Sequence, residues 1–119
     1  MGMYKKYVGK IGEDYALLYL QKKGYRIVNH NVRIGRGEID IVSSKDNVII
    51  FVEVKTRSCE KYLDLLDSIS ESKEEMLLQS CELYLEQNGL STRDFRIDLI
   101  GILLTKGIVT KIKHVEGII

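Results

Sequence analysis

The sequence predicts an α/β fold: a mixed central sheet of about five strands flanked by helices, in the order α-β-β-β-α-β-β, as a single domain over residues 1–119. Three observations lead there. Two segments carry apolar residues at helical spacing, and five runs carry strand spacing bounded by turn residues. A chain of 119 residues, 45% hydrophobic and 29% charged, suits one domain with a modest core.

The first helix is expected from about Val8 to Lys23, with Ile11, Tyr15, Leu18 and Tyr19 on one face and Gly24 as terminator. Tyr15 and Tyr19 read as core residues with their hydroxyls at its edge. A second apolar sector holds Ala16, Leu17 and Leu20, and Glu13 falls within it, so Glu13 is expected to face inward. Arg26 to Arg33 forms a short strand, and Ile34-Gly35-Arg36-Gly37 supplies a turn. The stretch GEIDIVSSKDNVIIFVEVKTR, Gly37 to Arg57, is a hairpin. Ser72-Lys73-Glu74-Glu75 matches a capping box, opening a helix that runs through Met76, Leu77, Cys81 and Tyr84 to about Asn88, closed by Gly89. Phe95 to Leu104 and Ile108 to Val115 are strands around Thr105-Lys106-Gly107.

Composition narrows the function classes. The apolar runs Val48 to Val52 and Leu99 to Leu104 fall far short of the roughly 18 residues of a membrane helix. No signal peptide, repeat or low-complexity tract is recognisable, and proline is absent. Cys59 and Cys81 lack CxxC spacing and a His cluster, which argues against a disulfide scaffold or structural zinc and for a reducing cytoplasm. His30 and His114 have no ligand partners at recognisable spacing. The net charge of +1 hides an asymmetry. Residues 1 to 57 hold eleven Lys/Arg against six Asp/Glu, net +5, and residues 58 to 119 hold seven against eleven, net −4. An anionic partner on the basic half and ordinary solvated surface charge both fit that division.

The hairpin carries the chemistry. With Asp46 and Asn47 at its tip, antiparallel partners have numbers summing to 93, so Val42 faces Phe51, Asp40 faces Glu53 and Glu38 faces Lys55. Alternation then puts Glu38, Asp40, Glu53 and Lys55 on one side of the sheet and Ile39, Ile41, Val52 and Val54 on the other. Two opposed carboxylates repel unless a cation neutralises them or one takes a proton. Asp40 and Glu53 offer hard oxygen ligands for Mg²⁺ or Mn²⁺, and Lys55 on the same face can touch water or a phosphate. A cross-strand salt bridge on a solvated face satisfies the same spacing.

An acidic residue on the first helix, Asp on one strand and Glu-x-Lys on the next, here Glu13, Asp40 and Glu53-Val54-Lys55, resemble the PD-(D/E)xK nuclease superfamily. Gly12-Glu13, Asn31-x-Arg33, Gly37-Glu38-Ile39-Asp40, Phe51 to Arg57, Lys73, Tyr84-Leu85 and Arg96-x-Asp98 together look like the YraN family of small bacterial proteins. The resemblance implies a restriction-endonuclease-like core, related in shape to Holliday-junction resolvases, and metal-dependent hydrolysis of DNA, branched or damaged DNA included. It implies Asp40, Glu53 and Glu13 as metal ligands with the Val54 carbonyl, Lys55 as the residue acting on the attacking water, and Glu38 as support. Arg33, Arg36, Arg57 and Lys73 are then the expected nucleic-acid contacts, extended by Lys5, Lys6 and Lys10, and a homodimer is implied by resolvases that pair two sites. A non-catalytic nucleic-acid or protein-interaction module on the same fold is the alternative. Asp98 beside Arg96 reads as a structural ion pair or a tie to a loop, not as a catalytic group. Two departures from the family pattern stand out: Glu74-Glu75 after Lys73, where a basic or polar run is expected, and Ser58-Cys59-Glu60-Lys61-Tyr62-Leu63 in place of a Gly-rich, proline-bearing linker.

Overall fold

Five strands, β1 (Arg26–Ile34), β2 (Gly37–Lys45), β3 (Val48–Arg57), β4 (Phe95–Thr105) and β5 (Ile108–Val115), form one sheet in the order β1-β2-β3-β4-β5. Helices α1 (Gly2–Lys22) and α2 (Glu71–Gln87) complete the order α-β-β-β-α-β-β in this computed structural model, which describes residues 2–58 and 69–119. Cys59, the stretch 60–63 and the side chain of Lys5 lie outside what is described. The sheet is mixed because α2 separates β3 from β4 and lets them pair in parallel, while every other neighbour is antiparallel.

The β2–β3 turn has the expected tip. Asp46 and Asn47 both adopt positive φ, 52° and 65°, the type I′ geometry whose twist suits a two-residue hairpin. The ladder from Lys45↔Val48 to Ile41↔Val52 keeps the sum of 93 throughout. It then stops. Beyond Val52, β3 pairs only with β4, through Glu53↔Leu99 to Arg57↔Leu103, while β2 continues against β1 through Val32↔Ile39 to Ile34↔Gly37. Asp40 and Glu53 are therefore not ladder partners, nor are Glu38 and Lys55; they flank a wedge where the two strands part.

Two apolar clusters sandwich the sheet. On the α1 side, Ala16 and Leu20 pack with Tyr25, Ile41, Ile50, Val52, Ile100, Ile102 and Leu104. On the α2 side, Leu77, Cys81, Tyr84 and Leu85 pack with Ile34, Ile39, Val42, Ile49, Phe51 and Ile97. Ile39 thus lies on the face opposite Ile41 and Val52, against the expected alternation. The reversal falls at Asp40, level with Asn31 of β1, which adopts a φ of +52°.

Helix α1 starts before Val8, and the sector it buries is the one holding Ala16 and Leu20. Tyr15 and Leu18 are 41% and 59% exposed, so they are not core residues, whereas Tyr19 packs at the core's edge. In α2 the N-cap is Ser70, not Ser72: the Lys73 backbone N–H donates to Ser70 Oγ at 3.3 Å. Among the described residues, no helix is long and apolar enough to cross a membrane.

Gly12 sets how closely α1 approaches β3. A Cβ at this position would clash with Thr56 Oγ1 and lie 2.9 Å from Thr56 Cβ, which rotation of the threonine side chain does not move. Gly12→Ala should therefore push α1 off the sheet, lowering stability by about 1–3 kcal/mol. A urea midpoint unchanged from wild type would refute this close contact.

Candidate active site

The wedge between β2 and β3 gathers five of the charged residues singled out in the sequence. Asp40 Oδ2 accepts the Val54 backbone N–H at 2.8 Å, doing for the open edge of β3 what a strand carbonyl does further along the hairpin. Glu13 arrives from α1, close enough to Asp40 for the two carboxylates to repel. Glu53 lies within 3.4 Å of Lys55 Nζ, with the two side chains 19% and 16% exposed. Glu38 is exposed at the rim, close enough for its charge to act on both Glu13 and Asp40. The expected single-faced row is replaced by a cluster lining the gap.

Electrostatics follow from this crowding. Burial, with the charges of Asp40 and Glu38, raises Glu13 from 4.5 to about 7. Burial, then Asp40, raises Glu53 to about 7 as well. Lys55 opposes that shift from 3.4 Å, yet one ammonium does not offset desolvation plus a second carboxylate. Asp40 is also raised, by burial and Glu38, against the downward pull of the Val54 N–H and Lys55. Three carboxyls thus share too little water and too little positive charge near neutral pH.

Lys73, at the start of α2, completes the basic side. The neighbouring Lys55 ammonium, a like charge, and partial burial lower its pKa. Glu38, Glu53 and Lys55 line a cavity of about 140 Å³ together with Lys73, Met76 and Leu77 of α2. No local pattern marks this apolar wall, because Met76 and Leu77 read in the sequence simply as positions along a helix. Arg33 and Arg36 are exposed on and after β1, with Arg33 across the ladder from Glu38. Arg57 donates from Nη1 to the Thr56 carbonyl at 3.0 Å.

A second polar cluster centres on Asp98, fully buried in β4. Its carboxylate accepts from Arg96 Nε at 2.9 Å and the Gly117 N–H at 2.9 Å, and lies 2.8 Å from His114 Nε2. The Tyr19 hydroxyl lies 3.2 Å from His114 Nδ1, and the Tyr25 hydroxyl donates to Glu116 Oε1 at 3.2 Å. Asp98, His114 and Glu116 bring ligating atoms within 4.8 Å of one another, the one such set of three among the described residues, and could hold a metal ion. The Arg96 guanidinium already contacts both carboxylates, at 2.9 and 3.5 Å. The expected Arg96–Asp98 pair is thus present within a larger network that ties α1, the start of β1 and the C-terminal residues to β4. His114 and Glu116 carried no signal for it, since their partners lie far away in sequence.

Residues 12–102 match the profile of the Uncharacterised protein family UPF0102, the YraN family. The chain belongs to this family. A UPF0102 protein of Sulfurihydrogenibium sp. (strain YO3AOP1) is 39% identical over 115 residues, 97% of this chain and 96% of the relative. One from Alkaliphilus metalliredigens is 38% identical over 101 residues, covering 85% of this chain and 89% of its own. Among solved structures, Pyrococcus furiosus SfsA in complex with Ca²⁺ aligns with a TM-score of 0.37 at 14% identity, over 88% of this chain and 59% of that chain. The matched span of this UPF0102 protein contains Glu13, Asp40, Glu53, Lys55 and Lys73, and leaves out His114 and Glu116.

Proposed function

We propose that this UPF0102 protein is a Mg²⁺- or Mn²⁺-dependent nuclease that hydrolyses phosphodiester bonds in DNA. One observation carries the reading: Asp40, Glu53 and Glu13 crowd one desolvated wedge, with Lys55 beside Glu53. A structural role alone would favour apolar residues in such a place. The donor set suits a hard divalent ion, because carboxylates lifted to about 7 by burial and mutual repulsion gain from a nearby cation. Mg²⁺ typically takes one or two carboxylates and keeps several waters, so Asp40 and Glu53 suffice, with the Val54 carbonyl and Glu13 as further oxygen donors. Once bound, the ion supplies Lewis acidity toward a phosphate oxygen and lowers the pKa of water.

The chain's own groups do the rest. Lys55 orients or deprotonates the attacking water. Glu38 steadies the Lys55 side of the wedge. Lys73, Arg33, Arg36 and Arg57 hold phosphates flanking the cut, and pairing of two copies would present two such centres to a branched duplex. The test is a panel of single-stranded, duplex, flap and four-way DNA, plus RNA, incubated with Mg²⁺ or Mn²⁺. Divalent-dependent cutting that Asp40→Ala removes is the expected result. No cutting of any substrate, with Asp40→Ala and wild type alike in metal titration, would overturn it; salt-sensitive binding without cutting would favour the non-catalytic module.

A further inference from the structure

We infer that the cavity between Glu53 and α2 receives an unstacked pyrimidine base of the substrate strand, next to the phosphate that is cut. The inference rests on the nuclease reading and adds a substrate requirement to it. Glu53 and Lys55 belong both to the wedge and to the cavity wall, so a phosphate held at the wedge has its neighbouring sugar and base within reach of the opening. Met76, Leu77 and Ile69 give the cavity an apolar surface that a phosphate-binding groove has no use for, and that a base face can cover. Glu38 from β2 and Lys73 from α2 also line the cavity, an acceptor and a donor, the two functions that the polar edge of a pyrimidine requires.

Size sets the choice of base. An apolar protein cavity of roughly 150 Å³ holds a benzene ring. The 140 Å³ here admits one six-membered ring, whereas the two fused rings of a purine would protrude. A base within an intact duplex has both faces stacked and cannot enter. Unstacking is least costly at a mismatch, junction or single-stranded segment, so the cavity favours those substrates without reading their sequence at length.

The test uses the full chain and four duplexes that differ at one nucleotide beside the cut: fully paired, carrying an unpaired thymine, carrying an unpaired adenine, or carrying an abasic site there. Affinity is measured by fluorescence anisotropy without divalent ions, and cleavage separately with Mn²⁺. The unpaired thymine should bind about tenfold more tightly than the abasic duplex, with an unpaired adenine between the two. Met76→Gln, a change on a side chain 44% exposed, should narrow the thymine-to-abasic ratio. Equal affinity for the thymine and abasic duplexes would overturn the cavity assignment even if all are cut. Failure to cut any of them would overturn the nuclease reading, and the binding ratio would still decide the cavity.

Discussion

Glu53→Gln should lower divalent-dependent cleavage by about 10²–10³-fold and, in the same protein, raise stability at pH 8 without metal. Both effects come from one carboxylate. Its folded pKa of about 7 lies above the ordinary 4.5 because burial and Asp40 disfavour the charge. Between those two values the folded state retains a proton that the unfolded chain has released, so stability falls as pH rises and the whole penalty is present above 7. Glutamine carries no charge to desolvate, yet it keeps an oxygen for Lys55, 3.4 Å away in the parent. The expected gain is about 1–2 kcal/mol at pH 8 and falls toward zero below about pH 4, where the glutamate is protonated in both the folded and the unfolded state. Mn²⁺ should raise the melting temperature of the wild type and leave the variant's almost unmoved. Thermal melts at the two pH values decide the matter: a variant less stable than wild type at pH 8 would show that Glu53 serves the fold and not a metal.

Glu53 also shows how far the sequence could be read. The hairpin register was legible because Asp46-Asn47 dictates a two-residue turn and the apolar residues beside it alternate strictly. Where that ladder ends was not, because β2 keeps β1 and β3 keeps β4 as partners, and these competing pairings involve strands up to some forty residues apart. Alternation is a local rule, so it could not foresee the reversal at Asp40, which coincides with the positive φ of Asn31 on the neighbouring strand. On α1 the two apolar sectors look alike in sequence, and only docking against Ile41 and Val52 decides that Ala16 and Leu20 are buried while Tyr15 and Leu18 remain exposed. Glu13 could be placed correctly because it shares a sector with Ala16 and Leu20, whichever name that sector is given.

Asp98→Ala should be the most destabilising single change away from the wedge, costing about 3–5 kcal/mol. Asp98 has no exposed surface and joins Arg96, His114 and the Gly117 N–H through one carboxylate. Alanine would leave those donors facing a void, and the lost bond to Gly117 would loosen the C-terminal residues, whose Ile118 N–H donates to the Ile97 carbonyl at 2.7 Å. Burial alone would push the Asp98 pKa up, but the hydrogen bonds from His114, Arg96 and Gly117 and the Arg96 charge outweigh it and hold the carboxyl below its ordinary value. A depressed folded pKa contributes stability that is present above the unfolded value and lost as pH falls through the folded one. Wild type should therefore lose stability below about pH 4, whereas Asp98→Asn should start lower and change less across that range. If the network's purpose were instead to hold a metal, a chelator would destabilise the wild type as the alanine change does. With Arg96 already bridging both carboxylates, a chelator should leave the urea midpoint where it was.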